Sequence, residues 1–218
     1  MAVVDSTYRF RLVDIGAEGR LSDSGVFKNS PIGFHLEAGT LGIPGLARIP
    51  GTELVAPHVF IGDEAFQLRA DFLRPYPGSN LPVDKRIYNY RLSRARNCVE
   101  NAFGILSARW RTLLHTINFA PKNVDLIVKA ACILHNFLLD HGDDSADYGD
   151  REDAFGNITE GRWHEELSDS VLQSIQSTHA RNHSREAVAA RDIFARYFNS
   201  TEGALTWQWA RAQPPAPL

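Results

Sequence analysis

The spacing of apolar residues predicts two long amphipathic helices in the middle of the chain. From about Asp84 to Leu114, apolar residues recur at intervals of three and four and form one continuous stripe: Tyr88, Leu92, Ala95, Val99, Ala102, Phe103, Leu106, Trp110 and Leu113. A second stripe of the same kind predicts a helix from Val124 to Asp140, after Pro121. Each helix therefore has one face suited to burial.

Alternating and continuous apolar runs nearer the N-terminus predict strands. Residues Tyr8 to Ile15 alternate and are rich in aromatic and branched side chains, which favours a strand, with Ala2 to Asp5 as the end of an earlier one. The run from His58 to Ile61 is short and apolar, and it stops directly before Gly62 and Asp63. It predicts a buried strand that is followed by a carboxylate.

Other segments before the first long helix predict one further helix and several loops. Ser22 or Asp23 can accept hydrogen bonds from the first turn of a helix that runs from about Gly25 to Leu36. The segment from Glu37 to Pro57 contains six glycine or proline residues before Pro57 and is predicted to be mostly loop. The stretch from Leu68 to Leu73 predicts a short helical turn.

The chain divides by composition into four parts. Residues 1–140 carry most of the predicted elements and form one domain, whereas residues 141–161 are acidic, contain glycine and predict a flexible linker. Residues 162–210 have a helical pattern and predict a helical C-terminal extension. The proline-rich residues 211–218 predict a disordered tail.

Length and composition are those of a folded protein with one substantial core. The chain has 218 residues, of which 44% are hydrophobic and 22% charged. No apolar run is long enough to span a bilayer, and the first residues lack the pattern of a secretory signal. The two cysteines, Cys98 and Cys132, are too few for a disulfide framework, so we interpret them as small core residues in a reducing compartment.

The charge is distributed unevenly, although the net formal charge is only −3. Seven basic residues and one acidic residue, Glu100, lie between Lys85 and Arg111, whereas eleven acidic and two basic residues lie between Asp140 and Asp169. A basic helix followed by an acidic stretch is typical of a protein with an anionic partner at one site. The alternative is a solvated, charged helix face, and composition alone favours that alternative.

Two acidic residues are candidates for metal chemistry. Asp63 follows a buried strand, which suits a hard-metal ligand, although a turn or cap role is the commoner use of such a residue. Glu100 is the one acidic residue of the basic helix, and an ion pair with Arg96 would also explain it. Phosphodiester cleavage with two metal ions requires carboxylates on separate rigid elements, and the pair Asp63 and Glu100 meets that requirement.

Five motifs in order resemble the Harbinger-type DDE nucleases over roughly residues 1–140. The long helix contains the most specific of them, Tyr88 to Leu106 (YNYRLSRARNCVENAFGIL). The other four are Val3-Val4-Asp5 with Ser22 to Phe27 (SDSGVF), Phe60 to Phe66 (FIGDEAF), Arg74-Pro75-Tyr76, and Leu134 to Leu138 (LHNFL). One such motif would be weak evidence, but five in the same order make chance resemblance unconvincing.

The resemblance implies an α/β (α+β) fold of the RNase H-like type, a mixed sheet flanked by helices. It also implies three acidic ligands, of which Asp63 matches the second and Glu100 the third. The first is expected on a strand that precedes Met1, so that the first strand is missing. Asp5 and Asp14 do not match it, and a helix cap explains Asp23 better than metal binding does.

The expected function follows from the same resemblance. It implies a metal-dependent DNA endonuclease domain of a transposase or a domesticated derivative, a hydrolase that uses Mg²⁺ or Mn²⁺. Candidates for phosphate contacts are Arg91, Arg94 and Arg96. Without the first aspartate, weak metal binding without efficient strand cleavage is expected.

The alternative function is a non-catalytic remnant that binds DNA or a protein. The family implies location in the nucleus, no membrane association, and either a further DNA-binding segment or a separate Myb-like partner protein. The DNA target and the oligomeric state stay open at this point.

Overall fold

The computed structural model describes residues 1–17, 22–141, 148–167 and 183–212. These residues form a mixed α/β structure, which confirms the predicted fold class. They fall into two compact units, and each is described by itself. The first comprises residues 1–17, 25–34, 97–141 and 148–167, and the second comprises residues 22–24, 35–96 and 183–212.

The first unit begins with a β-hairpin. Strands β1 (Ala2–Val4) and β2 (Phe10–Val13) pair antiparallel, with Ala2 opposite Val13 and a bulge between Val3 and Val4. In the turn, the Asp5 carboxylate accepts from the backbone N–H groups of Thr7 and Arg9. The alternating pattern therefore predicted both strands, and each is shorter than its predicted range of Ala2 to Asp5 or Tyr8 to Ile15.

The core of the first unit lies between this hairpin and two helices. Helix α3 (Val83–Arg109), whose second half belongs to this unit, is followed by a 3-10 turn (Arg111–Leu114) and by α4 (Pro121–His141). The buried residues at the centre are Phe10, Ala102, Leu106, Ala131 and Cys132. Asn136 of α4 fixes the strand, because its side chain donates to the Phe10 carbonyl and accepts from the Phe10 N–H, each at 2.9 Å.

The described part of the predicted acidic linker has secondary structure. Strands β7 (Arg151–Glu152) and β8 (Ile158–Thr159) form a hairpin, followed by the short helix α5 (Trp163–Glu166). Tyr148 is buried beside Ile105 and Ala108 of α3. The sequence analysis interpreted this stretch as a flexible linker, whereas the structure has a hairpin and a buried tyrosine within residues 148–161. Residues 142–147 lie outside the described ranges.

The second unit contains two small sheets. Strands β3 (Ala47–Arg48) and β4 (Val55–Ala56) form an antiparallel hairpin within the segment predicted as a loop. Strands β5 (Phe60–Ile61) and β6 (Phe72–Leu73) are parallel, with Ile61 opposite Leu73. The helical turn predicted for Leu68 to Leu73 is wrong, because a short apolar run fits either structure and pairing with β5 decides between them.

Helix α6 (Arg185–Phe198) packs against the sheets of the second unit. Its residues Ala187 and Ala190 are buried against Leu68 and Leu73. The first half of α3 contributes Tyr88 and Leu92 to a neighbouring cluster with Tyr76 and Ala195. Helix α7 (Gln208–Arg211) follows, so the described residues of the predicted C-terminal extension include the helices α5, α6 and α7. Residues 168–182 and the predicted tail over 213–218 lie outside them.

The helix predicted from Gly25 to Leu36 is interrupted. It consists of α1 (Asp23–Asn29) and α2 (Pro31–Glu37). Pro31 has no N–H to continue the first helix, and it disfavours a helical conformation at Ser30. The Ser30 hydroxyl donates to the Phe27 carbonyl and accepts from the Gly33 N–H, which joins the two helices at this corner.

Among the helices of the described residues, none combines the length and the apolarity required to cross a membrane.

Candidate active site

Strand pairing fixes the backbone that leads to Asp63. The Gly62 N–H donates to the Leu73 carbonyl at 3.0 Å, which extends the β5–β6 pairing by one residue. Gly62 is buried, and a Cβ at this position would lie 2.7 Å from the Phe72 ring and 2.8 Å from the Phe66 ring. A larger residue would push the strand end away from these rings, so the glycine keeps Asp63 close to the sheet.

Asp63 begins a tight turn of residues 63–66, which we call the Asp63 turn. The Ala65 N–H donates to Asp63 Oδ1 at 2.9 Å, and the Phe66 N–H donates to the Asp63 carbonyl at 3.4 Å. Ala65 is only 1% exposed, and the Phe66 ring stacks on Phe72 with 5.0 Å between centroids. The turn role considered in the sequence analysis is therefore real, and it orients the carboxylate at the same time.

A second carboxylate, Asp23, lies close enough to Asp63 for their charges to interact. Burial is the largest cause of a raised Asp23 pKa, and the negative charge of Asp63 raises this pKa further. Asp23 is the first residue of α1 and is partly buried. Sequence reasoning assigned it to a helix cap, and only the folded arrangement reveals the proximity of the two acidic groups.

We expect Asp63→Asn to lower the pKa of Asp23, because the substitution removes a neighbouring negative charge. A carboxyl-carbon NMR titration of the metal-free protein measures this directly. Asp71→Asn is the matched control, since Asp71 is paired with Arg69 and should leave the Asp23 titration unchanged. An unaltered Asp23 pKa in Asp63→Asn would contradict the proposed proximity.

Glu100 lies in the first unit on the second half of α3. Its side chain is exposed, while the adjacent Asn101 is 6% exposed. Asn101 accepts a hydrogen bond from Trp163 Nε1 at 3.1 Å, and a Cβ at Gly104 would lie 2.4 Å from the Trp163 ring. These contacts fix the rotation of the helix about its axis and therefore direct Glu100 towards solvent.

The three candidate phosphate-binding arginines have different surroundings. Arg91 Nη1 donates to the Gly203 carbonyl and to Gln208 Oε1, and its guanidinium lies over the Phe198 ring. Arg94 lies over the Trp207 ring, and Arg96 is partly buried. Arg91 therefore has packing partners within the chain, a use that the charge pattern alone did not indicate.

The metal-ligand role of Asp63 and Glu100 stays a prediction. In the part of the chain that the structure covers, no group of three His, Cys, Asp or Glu side chains is arranged to hold a metal ion. What the structure adds is the fixed position of Asp63 and its interaction with Asp23.

Comparison with known proteins identifies relatives over most of these elements. The model of a family described as DDE superfamily endonuclease matches residues 1–136. Protein ALP1-like from Arabidopsis thaliana is 32% identical over 148 residues, which are 67% of this chain and 36% of that protein. HARBI1 from Homo sapiens, whose name describes a candidate nuclease, is 26% identical over 147 residues, which are 66% and 38% of the two chains.

The matched region is therefore little more than a third of the length of these relatives. No solved structure matches the chain.

Proposed function

Because the chain belongs to the DDE superfamily endonucleases, we propose that it acts on DNA as the metal-dependent endonuclease domain of a Harbinger-type transposase or a domesticated derivative. The proposed ligands of Mg²⁺ or Mn²⁺ are Asp63 and Glu100. The observation that carries the proposal is the Asp63 turn, which holds a carboxylate at the end of a strand beside a second carboxylate.

The chemistry of these residues fits a divalent ion. Magnesium and manganese prefer carboxylate oxygens, and two neighbouring carboxylates repel each other unless a cation or a proton lies between them. Asp23 is the second group in this pair; burial is the main cause of its raised pKa, and the negative charge of Asp63 raises this pKa further. A bound ion would supply Lewis-acid stabilisation of the phosphoryl oxygens and would lower the pKa of a bound water.

Catalysis by these residues alone is proposed to be inefficient. The family chemistry uses three carboxylates, and Asp63 and Glu100 match two of them. Asp23 supports binding of a cation near Asp63, but its position at the start of α1 is not that of the first family ligand. We therefore expect weak metal binding and slow strand cleavage.

Contact with DNA would involve the basic part of α3. Arg94 and Arg96 are the favoured phosphate contacts, and Arg91 is less favoured because Gly203, Gln208 and Phe198 already occupy its guanidinium. Action in the nucleus with a separate Myb-like partner is part of the same proposal. The nuclease description in the name of the human relative supports the DNA-cleaving role.

A second candidate function is a binding module without catalysis. The contacts of Arg91 with Gly203 and Gln208 favour this second function, because they account for one basic residue of the helix without contact to nucleic acid. Such a protein would retain the scaffold and bind DNA or a protein partner. The first test is therefore a metal-binding and cleavage experiment.

We expect the purified chain to bind Mn²⁺ weakly, as measured by electron paramagnetic resonance. Asp63→Asn should weaken the binding by about tenfold or more, since a charged oxygen ligand is lost. Glu100→Gln should also weaken it. Glu53→Gln is the control, because Glu53 is exposed and paired with Arg48.

Cleavage of plasmid DNA in Mg²⁺ should stay near background. Measurable nicking that Asp63→Ala abolishes would contradict the expected impairment and establish an active nuclease. Mn²⁺ binding that is identical in Asp63→Asn and in the unmodified chain would leave the binding module as the better proposal.

A further inference from the structure

We propose that Arg74 is a positioning residue for Asp63, holding the Asp63 turn through hydrogen bonds to two of its backbone carbonyls. This inference rests on the proposed function, because it concerns the residue that would bind the metal ion. The contacts that support it all lie within the second unit.

The register of the parallel strands places Arg74 beside the turn. Ile61 is opposite Leu73, so the residues that follow the two strands leave the sheet at the same edge. From there Arg74 Nη1 donates to the Glu64 carbonyl at 3.1 Å and to the Phe66 carbonyl at 3.0 Å. One guanidinium nitrogen therefore binds two carbonyls of the four-residue turn that Asp63 begins.

Arg74 is buried, so it does not act as a charged residue on the surface. It is 6% exposed, and burial, followed by the positive charge of Arg191, lowers its pKa. Burying a charge is costly unless strong hydrogen bonds compensate it. Arginine offers rigid, charged donors for carbonyl oxygens, which an apolar residue of similar size could not provide.

Helix α6, within the C-terminal extension, packs against the segment that contains Arg74. The Arg191 guanidinium lies over the Tyr76 ring at 3.8 Å, and the Tyr76 hydroxyl donates to Asp192 Oδ1 at 2.5 Å. Arg191 Nη1 also donates to the Pro75 carbonyl at 3.5 Å. Residues 74–76 are thereby held against α6, which gives the C-terminal extension a role in the geometry of the candidate site.

The test compares Arg74→Met with the matched variant Arg69→Met. Arg69 lies in the same unit, but its side chain pairs with Asp71 and makes none of the described contacts to the turn. In the metal-free protein, the Ala65 amide, which donates to Asp63 Oδ1, should exchange about tenfold faster or more in Arg74→Met, because bonds from a charged donor are lost. Exchange in Arg69→Met should match the unmodified chain, as should exchange of the Leu92 amide in both variants.

The second readout is Mn²⁺ affinity, measured well below the unfolding temperature of every variant. Arg74→Met should weaken it by about 10- to 100-fold, the usual effect of removing a residue that orients a ligand. Arg74→Lys should restore part of the affinity, since lysine keeps the charge and donors without the planar geometry.

The two measurements separate the inference from the proposed function. Unchanged Ala65 exchange in Arg74→Met overturns the inference whether or not metal binds. Faster exchange with unchanged Mn²⁺ affinity also overturns it, because the turn would then not position a ligand. Absence of Mn²⁺ binding in the unmodified chain overturns the proposed function alone, and amide exchange then decides whether Arg74 holds Asp63. If Arg74→Met does not fold, Arg74→Lys takes its place. Loss of the planar donor geometry should still make Ala65 exchange faster, to a smaller extent, and exchange as in the unmodified chain overturns the inference.

Discussion

Replacing Tyr88 by alanine is expected to lower the free energy of unfolding by about 3–5 kcal/mol, the usual cost of removing a buried aromatic ring. Tyr88 is 0% exposed. Its ring lies edge-on to Tyr76 at 5.1 Å between centroids and 6.0 Å from Phe198 of α6, and its hydroxyl donates to the Arg74 carbonyl. This loss is a large fraction of the free energy of unfolding of a typical domain, which is about 5–15 kcal/mol. Denaturant unfolding followed by circular dichroism measures it.

Two variants serve as controls for this prediction. Tyr88→Phe removes only the hydroxyl, whose bond to Arg74 is long at 3.4 Å, and should cost less than about 1 kcal/mol. Tyr90 lies on the same helix and is only partly buried, beside Trp207. Tyr90→Ala should therefore lower the free energy of unfolding by only about 1 kcal/mol. If Tyr88→Ala were no more destabilising than Tyr90→Ala, the packing of α3 on α6 would not be a main source of stability in this unit.

The helices of the chain could be predicted because their signal is local and repeated. The stripe that includes Tyr88, Leu92 and Leu106 continues for several turns, so its period is unambiguous. Helix α3 begins within one residue of its predicted start but ends at Arg109, before the 3-10 turn that contains the predicted end at Leu114. The segment around Pro31 was less predictable. There the hydrophobic pattern continues across the proline, and the backbone chemistry of the proline divides the helix.

The small sheets could be predicted only in part, because strand pairing depends on residues far apart in the sequence. Phe72 and Leu73 form a strand because they pair with β5. Similarly, the residues near Tyr148 form structure because Ile105 and Ala108 offer an apolar surface. Short segments carry too few residues for a period to be recognised, so their neighbours determine the outcome.

In the candidate site, too, features that are local in the sequence could be predicted, and features that depend on distant residues could not. The position of Asp63 after a strand could be read from the sequence, since the apolar run before it ends at Gly62. The interaction of Asp63 with Asp23 could not, and neither could the hydrogen bonds from Arg74 to the Asp63 turn. The resemblance supplied Arg74 as part of a motif, but its role depends on a fold that brings the ends of β5 and β6 together.

Stability of the first unit should depend on pH through His135. This residue is 0% exposed, and its Nε2–H donates to the Tyr8 carbonyl at 2.8 Å. Nδ1 has no hydrogen-bond partner among the described residues, and a proton added there would be buried. Burial is the largest cause of a lowered His135 pKa; the Tyr8 carbonyl opposes it and the charge of Arg109 adds to it.

The direction of the pH effect follows from this lowered pKa. Below the ordinary value of 6.5, the unfolded chain binds a proton at His135 before the folded protein does, so protons favour unfolding. The free energy of unfolding should therefore be highest above pH 6.5 and fall as the pH decreases, by up to about 1.4 kcal/mol per pH unit from this residue. Urea unfolding at a series of pH values between roughly 5 and 7.5 measures the slope.

Replacing His135 by glutamine should reduce this slope while destabilising the protein by about 1–3 kcal/mol at neutral pH, because the shape of the ring is lost and the Tyr8 carbonyl is less well satisfied. The curves of the variant and of the unmodified chain should approach each other as the pH falls, since only the histidine takes up a proton on unfolding. His115→Gln is the matched control, an exposed histidine that lies in the same unit. It should leave the pH profile unchanged. A His135→Gln profile parallel to that of the unmodified chain would show that His135 does not couple protonation to unfolding.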